Sequence, residues 1–409
     1  MTSFLGLVPE LVESWQLLYR TTAINGSAIA TATTVFKPAN AKTDRFVSFQ
    51  TAYDGSAQSG LCDPSYGYQL GSAQLDIISD IETLLLQAYL INGYIVSSPD
   101  YEGPDSAFSV GRLEGMGVLD SMRAVSNFKD TINLTTSNPK IVGYGYSGGA
   151  IATGWSSQLH KHYAPELDVV GWAMGGTPAN LTGTAVYLDG TTFGGFLPQA
   201  FVGQAKPSAY GAQLNPLYQS ILTPYGQTVF DTAEVVCAIE QIATFLDGSI
   251  ESTSVQTLGS QFLYNPTMAK VLGRSLMGQS KNETPTAPVY MFHATQDEII
   301  PYANATTLRR EWCGYGANVE FVTVAKGGHI TTEILGFAGA YDFVNAAFAG
   351  SVAKGCSEKT VDNSTLNILA LGAEAQPVVV ALLNALAVVG EKDVNVINDP
   401  ATLNKTISI

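Results

Sequence analysis

Residues 145–149 read Gly-Tyr-Ser-Gly-Gly between two stretches of opposite habit, and few folds accommodate that order. Ahead of them, Lys140, Ile141, Val142, Gly143 and Tyr144 have the make-up of a short buried strand. Behind them, Ala150, Ile151, Ala152, Thr153, Gly154 and Trp155 begin a helix-like run. A strand that becomes a helix in so short a turn crowds its own backbone. Glycine on either side of Ser147 removes the Cβ atoms that would collide. The same turn lifts the serine hydroxyl out of the sheet top, where it can act as a nucleophile. Glycine is abundant here, at 40 residues, so the placement between strand and helix carries more weight than the letters; the bland alternative is a plain glycine-rich turn.

Strand-like and helix-like segments alternate around this turn, the rhythm of an α/β chain with a mainly parallel sheet. Residues 45–50, 94–98, 169–174, 289–293 and 319–324 read as strands, and 75–90 and 115–128 space their apolar residues as helices do. The rhythm breaks after Pro178. From 179 to 285 the chain is helical and loop-rich, with 233–246 its clearest helix, and strands resume beyond it. We therefore expect an α/β-hydrolase fold: a first part of the core at 1–178, an inserted helical cap or lid at 179–285, and a second part of the core with a C-terminal tail at 286–409. Hydrophobic residues make up 46% and charged residues 13%, which favours a packed globule over disorder. The 20 basic residues are outnumbered by 35 acidic ones, a net charge of −15 that speaks against a nucleic-acid surface.

A serine hydroxyl needs an adjacent base, and the base needs an orienting acid. In this fold the partners follow the serine in the order acid, then histidine. Only four histidines are available. His160 and His162 come just after the elbow helix and suit a solvated helix end. His293 lies within a strand and reads as a packing histidine. His329, on a glycine-flexed loop after the strand 319–324, is the candidate base. Asp297, four residues past the strand 289–293, is the candidate acid, with Glu298 its rival. The oxyanion of a tetrahedral intermediate needs two donors. One is expected from the amide of Gly148. For the other, the loop after strand 94–98 offers Asp100, through its amide or a protonated carboxyl; a simple turn aspartate is the alternative reading.

The four cysteines, Cys62, Cys237, Cys313 and Cys356, form no Cys-x-x-Cys pair, so two disulfides are a better reading than a zinc cluster; three connectivities are open. Seven Asn-x-Ser/Thr sequons, at Asn25, Asn133, Asn180, Asn282, Asn304, Asn363 and Asn404, favour a secreted, glycosylated eukaryotic protein. The first ten residues lack the basic and apolar blocks of an export signal, so the expectation is export without a signal peptide in this chain. The apolar stretch 378–389 is too short to span a bilayer and reads as a buried helix.

These motifs resemble one family. Gly-Tyr-Ser-Gly-Gly at 145–149, Ser-Ser-Pro-Asp-Tyr-Glu-Gly at 97–103, His-Ala-Thr-Gln-Asp-Glu-Ile-Ile-Pro-Tyr at 293–302 and Gly-His-Ile-Thr-Thr-Glu-Ile-Leu-Gly at 328–336 look like the fungal secretory lipases of the Candida antarctica lipase A type. The segments 19–22, 62–66 and 163–167 resemble it too, so the similarity runs from about residue 15 to about residue 356. The resemblance implies Ser147, Asp297 and His329 as a triad, Asp100 and Gly148 at the oxyanion hole, a helical cap, and disulfides Cys62–Cys237 and Cys313–Cys356. The family's signal peptide and leading arm have no counterpart here, and the cap and tail match poorly, so chain-length preference does not carry over.

The reading from sequence is thus a secreted serine ester hydrolase, a triacylglycerol lipase with acyltransferase side activity, monomeric and free of metal or organic cofactor. Its partner would be a lipid or other ester, met at an oil–water interface, with no nucleic acid and no transmembrane segment. A soluble short-chain esterase or a peptidase of the same fold is the runner-up, because specificity lives in the cap and pocket. A catalytically silent binding protein stands further off, since serine, acid and histidine are all present in order.

Overall fold

The computed structural model describes residues 12–57, 62–63 and 77–361. The apolar stretch 378–389, the N-terminal decapeptide and the sequons at Asn363 and Asn404 lie outside the described residues. Nine strands form one sheet in the order β1-β2-β4-β3-β5-β6-β7-β8-β9. They are β1 (Val12–Thr22), β2 (Ala28–Pro38), β3 (Lys42–Gln50), β4 (Tyr94–Pro99), β5 (Lys140–Tyr146), β6 (Val169–Gly175), β7 (Val289–Ala294), β8 (Val319–Val324) and β9 (Ser357–Val361). From β3 to β9 all neighbours run parallel, whereas β1 and β2 form an antiparallel edge. This edge hairpin, joined at Asn25 and Gly26, goes unread in the sequence because both strands mix exposed and buried positions.

Parallel strands are covered on both faces, and β5 shows how the sequence achieves this. Val142, Tyr144 and Tyr146 point to one side, into a core with α1 (Ile77–Ile91) and the long C-terminal helix His329–Ala349. Ile141 points to the other side, where α2 (Gly111–Asn127), α3 (Gly148–Tyr163) and Met174 and Trp172 of β6 close a second core. The two-residue alternation of a strand thus sorts a nearly continuous apolar run into two packed layers.

Between β6 and β7 the chain pairs no strand with the sheet. It builds six helices: α4 (Leu181–Leu188), α5 (Phe196–Gln204), α6 (Gly211–Ile221), α7 (Pro224–Ala233), α8 (Ala238–Thr244) and α9 (Pro266–Arg274). They surround an apolar cluster of their own that includes Leu197, Phe201, Leu214, Phe230 and Phe262. The helix expected at 233–246 is shorter, Ala238–Thr244. Cys237 precedes it with an extended backbone, φ −77° and ψ 167°, and is bonded to Cys62. Two longer helices follow β7 and β8: α10 (Tyr302–Tyr315) and α11 (His329–Ala349). Both disulfides have the pairing the resemblance implies, Cys62–Cys237 and Cys313–Cys356. No helix among the described residues is long and apolar enough to cross a membrane.

Candidate active site

The turn after β5 holds Ser147 at φ 51° and ψ −120°, a conformation that costs an ordinary residue free energy and that packing must enforce. The neighbours do so. A Cβ on Gly145 would lie 2.3 Å from the Gly149 carbonyl oxygen, and one on Gly149 would lie 2.0 Å from that of Gln50. Only glycine lets α3 start this close to β3 and β5. The Ser147 amide donates to the Gly175 carbonyl at 3.0 Å, which ties the turn to the end of β6.

Two later loops bring the partners. His329 opens α11, behind Gly327 at φ +112°. Its amide donates to Glu298 at 2.9 Å, and its carbonyl accepts the Tyr146 hydroxyl at 2.7 Å. With its backbone fixed at both ends, the imidazole reaches Ser147 Oγ from Nε2 at 2.8 Å and Asp297 Oδ2 from Nδ1 at 2.7 Å. Asp297 leaves β7 on a tight turn, where its Oδ1 accepts the amides of Ile299 at 2.9 Å and Ile300 at 2.7 Å. Ser147, His329 and Asp297 therefore form one chain of hydrogen bonds, whereas Glu298 is turned to the His329 backbone.

Electrostatics suit the arrangement. Burial pushes the Asp297 carboxyl upward, but His329 and His293 outweigh it and hold the group below the usual carboxylate range. For His329 burial lowers the affinity for a proton, and Asp297, with Glu298 and Glu333, more than reverses this. An imidazolium formed during reaction is thus stabilised where it forms. His293 is buried, as a packing histidine should be, and it also touches the acid: its Nε2 lies 3.2 Å from Asp297 Oδ2 and 3.0 Å from the Ile300 carbonyl. His162 is exposed, but His160 is not at a solvated helix end. The chain turns back over it, and its Nε2 meets the Leu167 carbonyl at 3.1 Å.

Asp100 stands away from this site, which corrects the oxyanion assignment made from sequence. Its amide donates to the Ala32 carbonyl at 2.9 Å, and its carboxylate accepts from Tyr53 and Gly103, each at 3.0 Å, and from Thr31. It fastens the end of β4 to β2. The reason is strand order. β3, not β4, lies beside the elbow strand, so a loop after β4 starts one strand spacing, about 4.8 Å, further out. The residue in the expected place is Asp54, which follows β3 with φ 50°. A Cβ on Gly148 would lie 1.6 Å from Asp54 Oδ1, so Gly148 is the residue that admits this carboxyl beside the nucleophile. The signal was present in the sequence as Tyr53-Asp54-Gly55 after a strand; what was hidden was which strand neighbours β5.

Ser147, Gly148 and Asp54 open onto a cavity with an empty volume of about 570 Å³. Leu181, Ala185 and Leu188 of α4, Phe196, Leu197 and Phe201 of α5, and Leu272, Ile299 and Ile300 give it mostly apolar walls. Among the described residues no group of His, Cys, Asp and Glu is arranged to hold a metal ion.

Sheet, elbow and late acid and histidine loops define an α/β hydrolase. The secretory lipase family matches residues 68–355, and the chain belongs to that family of serine hydrolases. A secreted triacylglycerol lipase of Malassezia furfur is 40% identical over 384 residues, which covers 93% of this chain and 77% of the relative. One of Malassezia restricta is 37% identical over 363 residues, covering 86% and 74%. Candida antarctica lipase A in its closed state superposes with a TM-score of 0.80 at 30% identity, covering 90% of this chain and 86% of that one. A rice cell wall degrading esterase of Xanthomonas oryzae shares the fold, with a TM-score of 0.58 at 16% identity over 83% of this chain and 89% of its own.

Proposed function

We propose that this protein is a secreted hydrolase of lipid carboxylic esters, triacylglycerol foremost, working through an acyl-enzyme on Ser147. One observation carries the reading: an unbroken hydrogen-bonded chain from Ser147 through His329 to Asp297 faces an apolar cavity. The secreted triacylglycerol lipases among its relatives support the substrate class and the export. Two disulfides fit an oxidising compartment.

In the first step Ser147 Oγ attacks the ester carbonyl while its proton passes to His329 Nε2. Asp297 keeps the other imidazole proton on Nδ1 and balances the imidazolium. The negative charge that develops on the carbonyl oxygen is met by the Gly148 amide, at the N-terminus of α3, and by a donor from Asp54. Collapse of the intermediate expels the alcohol, which takes the proton from His329. Water then repeats the sequence on the acyl-enzyme, and an alcohol in place of water gives acyl transfer. Residues 179–285 act as the cap, and their apolar walls hold the acyl chain.

A fluorophosphonate probe followed by peptide mapping tests the assignment. Modification is expected at Ser147 alone, and Ser147→Ala should lower kcat on emulsified triglyceride by about 10⁵- to 10⁶-fold with the Tm unchanged. Retention of a tenth of the wild-type rate would remove Ser147 from the mechanism. Activity confined to soluble short-chain esters would turn the reading toward an esterase.

A further inference from the structure

Two carboxylic acids beneath the site have no part in the mechanism above. Glu82, on α1, and Glu333, one helical turn after His329 on α11, are both fully buried. Their carboxyl groups face each other within hydrogen-bonding reach. Glu82 Oε2 also accepts the Ala52 amide at 2.5 Å. Glu82 Oε1 and Glu333 Oε1 are buried, and neither meets an N–H or O–H donor from elsewhere. Two ionised carboxylates only accept hydrogen bonds, so a bond between them requires one proton on the pair.

The location of this bridge gives it a consequence. Ala52 lies two residues before Asp54, in the segment that leads from β3 to the oxyanion side of Ser147. Glu333 rides on the helix that presents His329. The bridge thus spans the two separate segments whose spacing sets the distance from base to oxyanion donor. Resting on the catalytic reading proposed above, we infer that Glu82 and Glu333 share a single proton and act as positioning residues, holding the Ala52–Asp54 segment in register with the His329 helix.

Loss of that proton would leave two buried like charges in contact, with Asp54 close by. Burial, then Glu333, hold the Glu82 carboxyl well above its usual range. Burial raises Glu333 to about 7, against the opposing pull of His329. The other titratable groups facing the pair are Tyr144 and Tyr146 from β5 and Tyr101 beyond β4, all buried phenols. The folded protein therefore keeps a proton that the unfolded chain has released. Its contribution to stability is full below the ordinary glutamate value of 4.5 and is lost as pH rises through the raised range of the folded pair.

The test compares wild type, Glu333→Gln, Glu82→Gln and Glu82→Leu in the full-length enzyme, by Tm and by the acylation burst with p-nitrophenyl butyrate between pH 5 and 9. A glutamine amide supplies permanently the donor that the shared proton provides. Glu333→Gln should keep the burst rate of wild type at pH 5–6 within about threefold, and should lose the alkaline decline of both Tm and burst rate. Glu82→Leu removes both the Ala52 acceptor and the bridge; it should slow acylation about 10- to 100-fold with little change in KM, and Glu82→Gln should restore most of the loss. Should Glu82→Leu fail to fold, the two glutamine variants decide the matter alone. An unchanged alkaline decline in Glu333→Gln overturns the shared proton. A flattened Tm profile with an unmoved burst profile overturns the positioning role. Phosphonate labelling at a residue other than Ser147 would instead bring down the catalytic reading, and the Tm profiles would still report on the pair.

Discussion

The sheet around Ser147 and the helical segment above it are built by different rules. In the sheet, backbone meets backbone. Gly145, Gly148 and Gly149 each stand where a methyl group would strike a carbonyl or carboxyl oxygen, and Asp297 and His329 are bonded at backbone and side chain alike. In residues 179–285 the helices are short and enclose an apolar side-chain cluster of their own. Of the eight large hydrophobic residues exposed among the described residues, seven belong to this segment: Val186, Tyr187, Tyr225, Val235, Ile239, Leu246 and Tyr264. A region that fixes atoms to a fraction of an ångström can run a proton relay. A region of short helices packed by apolar side chains can change what lines its cavity while leaving those atoms in place. The difference puts the proposed chemistry and the proposed acyl site in separate parts of this chain, and the two should be separable by mutation.

The sharpest way to break that division is at the acid. Asp297→Asn should cost about 10⁴-fold in kcat by favouring the wrong imidazole tautomer, while Glu298→Gln should matter far less. The base must be neutral to accept the Ser147 proton, and Asp297 raises the affinity of His329 for a proton. Consequently kcat/KM should fall as pH decreases, and in Asp297→Asn the midpoint of that fall should move to lower pH. A midpoint that stays put would separate Asp297 from the titrating base.

An intermediate effect is expected at the oxyanion side. Asp54→Ala should lower kcat about 10²- to 10³-fold, and Asp54→Asn, which keeps a side-chain donor, should lose much less. Asp100→Asn should act on Tm rather than kcat, because Asp100 binds Ala32, Tyr53 and Gly103 and lies off the cavity. Kinetic loss at Asp100 with none at Asp54 would restore the assignment read from sequence.

The smallest effect sharpens the comparison from above. Ala200→Phe narrows the cavity from α5 without touching Ser147. It should change the ratio of long- to short-chain activity about tenfold, with phosphonate labelling of Ser147 unaltered. A fixed chain-length profile would move the acyl site elsewhere. Gly195 is a poor place for this probe, since a Cβ there would lie 2.4 Å from the Ile242 Cα and would damage packing instead.

The two regions also differ in how much the sequence discloses. Each core strand from β3 to β8 is legible because burial on two faces forces an apolar run, as at Tyr94, Ile95 and Val96 or Val289 to Phe292. Ser147, Asp297 and His329 could be picked out because few histidines exist and each partner follows a strand. The placement of Asp54 beside Gly148 was not legible because adjacency in a sheet is not adjacency in sequence: the crossover from β3 carries the next strand, β4, to the side away from β5. His160 was misread because its cover, Leu167, comes from a turn that local pattern does not reveal. The Glu82–Glu333 bridge had no local signal, as its halves are 251 residues apart. In the cap, Cys237 broke an apolar periodicity that otherwise looked continuous from 233 to 246.

The Cys62–Cys237 bond joins positions 175 residues apart, and the closed circuit it makes contains the elbow, β4 to β6 and the first half of the cap. A protease that cuts once inside this circuit opens a ring and releases nothing. Both pieces stay on the same molecule, held by the bond and by the sheet that threads through it. Such a ring turns a first nick from a loss of chain into a mere interruption of it.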